Sequence, residues 1–296
     1  MNREIKGQIH KVSKDYKLIS IQIKNKLEFF YLQPRFVRDF RKYLYRGVFV
    51  VFSCDEKKFK MKRRLVSRVI AFEKILGNRY HRKFSYFDQK ISRQNILDKL
   101  NQYDYRLFLD LEMTLQRSKY ESEEIIQIGA ILVDKNDQEV WTYNQFIKPT
   151  LINIVSNRTI KFLNIDENKI YNGINYQSFY DTIKIILLRY KPCVVVWGNN
   201  DKFALEKSYT INKVSPIFFD NDFINMQYVL KKYYNFNNEL GLFNTAKIYQ
   251  IDCGEQLHDA YDDARVTKLI FNKFYDIAFN SLDFDFKSAM KEHHSK

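Results

Sequence analysis

Between residues 4 and 73 the apolar positions fall in short runs of strand length, interrupted once by a run at helical spacing. Ile5–Val12, Tyr16–Ile23 and Leu27–Leu32 predict three strands. Pro34 then opens a helix over Arg35–Leu44, where Phe36, Phe40 and Leu44 recur on one side. Gly47–Ser53 and Leu65–Phe72 predict two more strands. Three strands, a helix and two strands is the order of a small five-stranded β-barrel of the OB type. Gly7 marks a bulge that lets the first strand curve. The interval Glu56–Arg64 is dense in Lys and Arg and predicts a mobile basic loop. Phe59 lies in that interval, and Tyr16, Phe29, Phe30 and Tyr31 lie in the strands. Such rings either fill a barrel or stack on the bases of a single strand.

Beyond residue 104 the pattern changes. Tyr105–Leu111, Ile125–Asp134 and Val140–Phe146 predict an antiparallel meander. Helices follow at Ile160–Leu163 and Phe179–Tyr190. Cys193–Trp197 is a continuous apolar run between Pro192 and Gly198, the pattern of a central strand buried on both faces. A helix from Phe203 to Tyr209, a short strand at Ile217–Asp220, a helix at Ile224–Tyr234 and a long helix at Asp262–Phe279 complete the order. Antiparallel strands followed by alternating strands and helices describe an α/β domain with a mixed sheet flanked by helices. The chain therefore divides into a barrel over residues 1–76, a basic linker with a short helix over 77–103, and a larger domain over 104–296. Arg79, His81, Arg82 and Lys83 give the linker its charge, and a helix over Arg93–Leu100 leads out of it.

Composition narrows the partners. The 296 residues carry a net charge of +14, with a pI of about 9.4. An excess of this size favours a polyanion, either nucleic acid or an acidic membrane surface. No apolar run reaches the length that spans a bilayer. Cys54, Cys193 and Cys253 show neither disulfide nor zinc spacing, which fits reduced thiols in the cytoplasm. Residues Met1–Lys6 show no apolar segment of a secretory leader.

The chemistry concentrates at three places. Asp110 and Glu112 lie two apart on a predicted strand and share one face. Asp201 follows the buried strand in Trp197-Gly198-Asn199-Asn200-Asp201, at the lip where ligand sites of open α/β sheets collect. His258-Asp259-Ala260-Tyr261-Asp262-Asp263 heads the last long helix. Taken singly, Asp201 and Asp263 also suit helix caps, and His258 a structural side chain. Taken together, four hard oxygen donors suit Mg²⁺ or Mn²⁺. They can hold two ions about 3.5–4 Å apart, as in two-metal phosphoryl chemistry. His258, titrating near neutrality, then suits removal of a proton from water.

Asp110-x-Glu112, Asp201 and His258-x-x-x-x-Asp263 resemble the three motifs of the DEDDh exonucleases, the RNase T or DnaQ-like 3′–5′ exonucleases. The resemblance covers about residues 104–280, and the Trp-Gly-Asn turn is most similar to bacterial Eri-1-type members. It implies a ribonuclease H-like fold, two Mg²⁺ held by Asp110, Glu112, Asp201 and Asp263, and His258 as general base. It also implies that Leu111, Met113 and Thr114 sit beside the 3′-terminal nucleotide. Leu115 stands where many members have Gly, so the loop after the first strand is expected to run differently. The expected activity is metal-dependent 3′–5′ cleavage of single-stranded nucleic acid, releasing nucleoside 5′-monophosphates. RNA is favoured over DNA, and the barrel would hold the strand. The rival readings are a proofreading-type DNA exonuclease and a catalytically inactive binding or scaffold protein.

Overall fold

Strand alternation and buried apolar runs produce two compact units, residues 1–96 with 230–239 and residues 97–229 with 240–296. The computed structural model describes residues 2–61, 64–77, 85–116, 122–219, 222–254, 258–280 and 282–295. The basic residues Arg79, His81, Arg82 and Lys83 of the expected linker lie outside the described residues.

In the first unit, β1 (Asn2–Val12), β2 (Leu18–Ile23) and β3 (Lys26–Tyr31) form an antiparallel meander. Helix α1 (Pro34–Phe40) follows, then the long strands β4 (Phe49–Met61) and β5 (Arg64–Leu76). β1 pairs with β4, β4 with β5, and β3 with β5 in parallel. Among the described residues these five strands close on themselves, which is the expected barrel. Closure leaves no free edge along these strands. β6 (Tyr86–Phe87) adds to β5. The Phe87 N–H donates to Asn235 Oδ1 at 2.6 Å, within the short segment 230–239 that belongs to this unit.

The barrel interior is aromatic. Phe30 meets Phe52 edge-on at 5.0 Å and Phe52 meets Phe72 at 5.5 Å, all three buried. Phe30 therefore fills the barrel. Tyr16 packs against the same cluster. Phe29 and Tyr31 alternate with Phe30 and Leu32 and so take the outer face.

Two local expectations are corrected. The extra residue of β1 is His10, since Ile9 pairs with Ile21 and Lys11 with Ser20. Gly7 instead serves close approach, because a Cβ there would lie 2.8 Å from the Ile21 Cγ2. The described residues of the interval Glu56–Arg64 are strand and not loop: Lys58, Phe59, Lys60 and Met61 pair with Ser67, Val66, Leu65 and Arg64. Its alternation of Lys with Phe and Met is the period-2 pattern of a ribbon.

Helix α2 (Gln89–Leu100) ends the first stretch of unit one and runs into the second unit, where β7 (Tyr105–Met113), β8 (Ile125–Asp134) and β9 (Glu139–Phe146) follow. Then come α3 (Asn157–Leu163), α4 (Glu167–Tyr171), α5 (Tyr176–Tyr190), β10 (Cys193–Val196) and α6 (Asn200–Asn212). β11 (Phe223–Asn225), α7 (Met226–Tyr234), α8 (Leu242–Ile248), α9 (Ala260–Phe279) and α10 (Phe286–Ser295) complete the chain. The sheet order is β11-β10-β7-β8-β9, with β10 and β11 parallel to β7 and the other pairs antiparallel. This mixed sheet is that of the ribonuclease H-like fold. Leu107, Leu109 and Leu111 face α5 and α6 in one core cluster. Phe108 points the other way and meets Phe271 of α9 at 5.3 Å. β10 is buried at all four positions, as its unbroken apolar run requires. The edge strand lies at Phe223–Asn225, not at Ile217–Asp220, whose described residues Ile217, Phe218 and Phe219 are irregular. No helix among the described residues is long and apolar enough to cross a membrane.

Phe52→Ala should lower stability by about 3–5 kcal/mol, because it empties the centre of a close-packed aromatic row. Urea denaturation followed by circular dichroism measures it; a loss below about 1 kcal/mol would show that the rings do not carry the barrel.

Candidate active site

Asp110 and Glu112 leave β7 on the face opposite Leu109 and Leu111, because strand side chains alternate. The β7–β8 register shifts just past Glu112, between Glu112 and Met113. In the ladder Asp110 stands opposite Gly129 and Glu112 opposite Gln127. Both partners matter. A Cβ on Gly129 would fall 2.2 Å from the carbonyl of Ala260 and from the Tyr261 nitrogen. The first turn of α9 therefore rests on bare β8 backbone, which brings Asp263 over the acidic pair. Gln127 is fully buried, and its Nε2 donates to Asp259 Oδ2 at 2.7 Å and to Asn144 Oδ1 at 3.2 Å. Asp259 caps α9 by accepting the N–H groups of Tyr261 and Asp262.

Asp201 arrives from the other side of the sheet. Gly198, at φ +91°, turns the chain out of β10 into α6. Asn225 braces the turn: its Oδ1 accepts the Gly198 N–H at 3.2 Å and its Nδ2 donates to Asn199. Asp201, 3% exposed in the first turn of α6, accepts the Leu111 N–H at 2.9 Å. Its carboxylate is thereby tied to the strand that carries Asp110 and Glu112.

His258 precedes the α9 cap in a left-handed conformation, φ +51°. Its ring lies 4.6 Å from that of Phe162 on α3, at 31°. Ligand atoms of Glu112, His258 and Asp263 all lie within 4.8 Å of one another. α3 is anchored through Thr159, whose hydroxyl accepts the Leu115 N–H at 3.0 Å. The carboxylate of Glu124, 5% exposed, accepts the N–H groups of Thr150, Leu151 and Ile152 and so pins the approach to α3.

Of the residues expected beside a terminal nucleotide, Leu111 sits in the core and its N–H is taken by Asp201. The buried Thr114 hydroxyl accepts the Glu124 N–H, and Met113 is half-buried against the core. The Leu111 and Thr114 side chains are thus committed to the protein's own packing. Asp259, Gln127, Gly129 and Phe162 escaped the sequence reading. Gln127 and Gly129 left one signal: they are the polar residue and the glycine inside the otherwise apolar run of β8.

The electrostatics follow from this crowding. Burial, then Asp201, Asp263 and Glu112, push Asp110 well above the usual carboxylate range. Burial and then Asp263 and Asp201 raise Glu112 to about 8. Burial raises Asp201 to about 7 against the pull of the Leu111 N–H, and raises Asp263 to about 7 with help from Asp259. Like charges this close need a cation or protons. The donor set fits divalent ions: all four acids are hard oxygen ligands, and Asp263 Oδ1 is buried with no hydrogen-bond partner.

Two outcomes follow. Gly129→Ala should abolish divalent-cation binding, read by titration calorimetry with Mn²⁺, because the Cβ forces α9 off the sheet; unchanged binding would mean that α9 can shift without moving Asp263. In chelator, the folded chain holds protons that the unfolded chain releases near pH 4. Stability should therefore fall as pH rises from about 4 to about 8, and the gain in Tm on adding Mg²⁺ should grow over the same window. A flat Tm from pH 5 to 8, with no metal effect, would contradict the site.

Residues 107–271 match the model of the RNase T family, described as exonuclease. The probable 3′–5′ exonuclease KapD of Bacillus subtilis is 24% identical over 169 residues, covering 56% of this chain and 82% of KapD. The nuclease domain of 3′hExo, a DEDDh family member solved bound to rAMP, superposes with a TM-score of 0.54 at 16% identity. That match covers 62% of this chain and 96% of the domain. Exonuclease I of E. coli, in complex with a dT13 oligonucleotide, gives 0.50 at 16% identity, over 60% of this chain and 42% of its own. The chain belongs to the RNase T family of exonucleases.

Proposed function

We propose that the protein removes nucleotides from the 3′ end of single-stranded RNA, releasing nucleoside 5′-monophosphates. The observation that carries the reading is the convergence of Asp110, Glu112, Asp201 and Asp263 with His258 at one end of the sheet. The four carboxylates hold two Mg²⁺, for which Mn²⁺ substitutes. When bound, such ions supply the charge that activates water and stabilises the departing oxygen. His258 takes a proton from the attacking water, and the Phe162 ring fixes the plane of its imidazole. The water oxygen bonds to phosphorus and the bond to the 3′ oxygen breaks. The new 3′ end leaves as a hydroxyl after taking a proton from solvent. Asp259 and Gln127 keep the α9 terminus, and with it Asp263 and His258, in register with Glu112.

RNA is preferred to DNA on two grounds. The Trp197-Gly198-Asn199 turn resembles that of Eri-1-type members, and 3′hExo was solved with rAMP. Exonuclease I of E. coli was solved with dT13, so DNA is the competing substrate to be tested.

End-labelled RNA and DNA of matched sequence, incubated with Mg²⁺ or Mn²⁺, should yield mononucleotides from the 3′ end, faster for RNA. Asp201→Asn keeps an oxygen for the Leu111 N–H but loses the charge, and should lower kcat by at least about 10³-fold. His258→Gln should lower kcat about 10²–10⁴-fold. Full activity in Asp201→Asn would remove it from the site, faster DNA cleavage would reverse the substrate preference, and intact 3′ ends under all conditions would end the proposal.

A further inference from the structure

Charge is distributed very unevenly along this chain. Residues 1–76 contain 20 Lys and Arg against 7 Asp and Glu, whereas residues 77–296 contain 29 against 28. Nearly the whole excess of +14 therefore belongs to the barrel. On the same barrel, β3 turns Phe29 and Tyr31 outward, where neither joins the core cluster. The Arg64 guanidinium lies 4.2 Å over the Phe29 ring. Tyr31 meets Phe59 edge-on at 5.9 Å, and Arg68 stands 6.0 Å over Phe59. Beside Phe29 a groove of about 190 Å³ is lined by Lys11, Ser13, Leu18, Ser20 and Arg64.

We infer that this outer face of β2 and β3, with the start of β5, is a second nucleic-acid site, specific for single strands. Phe29 and the Tyr31–Phe59 pair are the stacking rings, and Arg64, Arg68 and Lys11 take the phosphates. Phe29 and Tyr31 lie two residues apart, about 7 Å along one face, a step that successive splayed bases can follow. Only an unpaired base exposes the π-face such rings require; a duplex offers phosphates alone. In five-stranded barrels of this connectivity, the β2–β3 face and the turns after β1 and β4 are the usual oligonucleotide platform. Here the two features that chemistry demands, rings and cations, coincide on that face. Of the acids nearby, Glu28 is paired with Arg3 and Lys58, and Asp55 stands 4.0 Å from Arg68.

The inference does not rest on catalysis, and its test excludes it. Full-length protein is titrated in EDTA against fluorescent single-stranded RNA of about 20 nucleotides, longer than one such site. Anisotropy gives Kd between about 50 and about 200 mM salt. Phe29→Ala and Tyr31→Ala should each weaken binding about ten-fold with the salt slope unchanged, and Phe29→Trp should restore it. Arg64→Ala and Arg68→Ala, both exposed, should each reduce the slope by about 0.7. Thermal melting of every variant separates loss of fold from loss of contact, and the two arginine variants carry the test if an aromatic variant is unstable. An unchanged Kd and slope in folded Phe29→Ala/Arg64→Ala would overturn the site. So would a duplex of equal length that competes as well as the single strand, since that outcome requires charge alone.

Discussion

The catalytic unit is organised around a repulsion. Four carboxylates are gathered where burial raises the proton affinity of every one, and the charges of Asp201 and Asp263 raise that of Asp110 and Glu112 further. No arrangement of acids alone would choose this geometry, so the surrounding chain must impose it. It does so with neutral backbone contacts. Asp201 is held by the Leu111 N–H, and α9 is held by a glycine that leaves no room between helix and strand. The cap Asp259 and its buried partner Gln127 fix the end of that helix. These contacts tie the acids down without neutralising them, which leaves the charge for a cation to discharge.

The same logic explains why much of the site was legible and part was not. Asp110 and Glu112 could be read because period-2 alternation puts them on one face with no further information. Cys193–Val196 could be read because a strand buried on both faces has no polar interruption. Gln127 and Gly129 are different. Their roles depend on which residue of a distant helix arrives opposite them, and no local pattern encodes that. β11 was misplaced for a related reason. Three residues, Phe223, Ile224 and Asn225, are too few to show a period, and they run directly into α7, whose apolar spacing absorbs them. The more apolar Ile217–Phe218–Phe219 looked like the better strand, yet Phe219 is 65% exposed.

The barrel inverts the lesson. Its strand order followed from the sequence because five short runs and one helix fit few closures. The strand at Lys58–Met61 does not, because high charge density is also the mark of a loop. Alternation was present all along, Lys-Phe-Lys-Met, and the ladder with β5 obeys it. A strand with one face to solvent can be rich in lysine on that face without losing its hydrogen bonds. Local period outranked composition there.

The two units thus carry opposite electrostatic problems. The catalytic unit has 22 Lys and Arg against 26 Asp and Glu and concentrates negative charge at one point; the barrel is strongly positive and spreads that charge over a surface. A polyanion approaching the carboxylates alone would be repelled until cations were bound, since the neighbouring sequence offers no net positive field to offset them. Under the proposed function, attraction over a Debye length, about 8–10 Å at physiological salt, falls to the charge of the barrel. Under the proposed function, capture would answer to ionic strength and cleavage to divalent ions. That separation follows from where the sequence places its lysines, arginines and acids, whatever strand is finally bound.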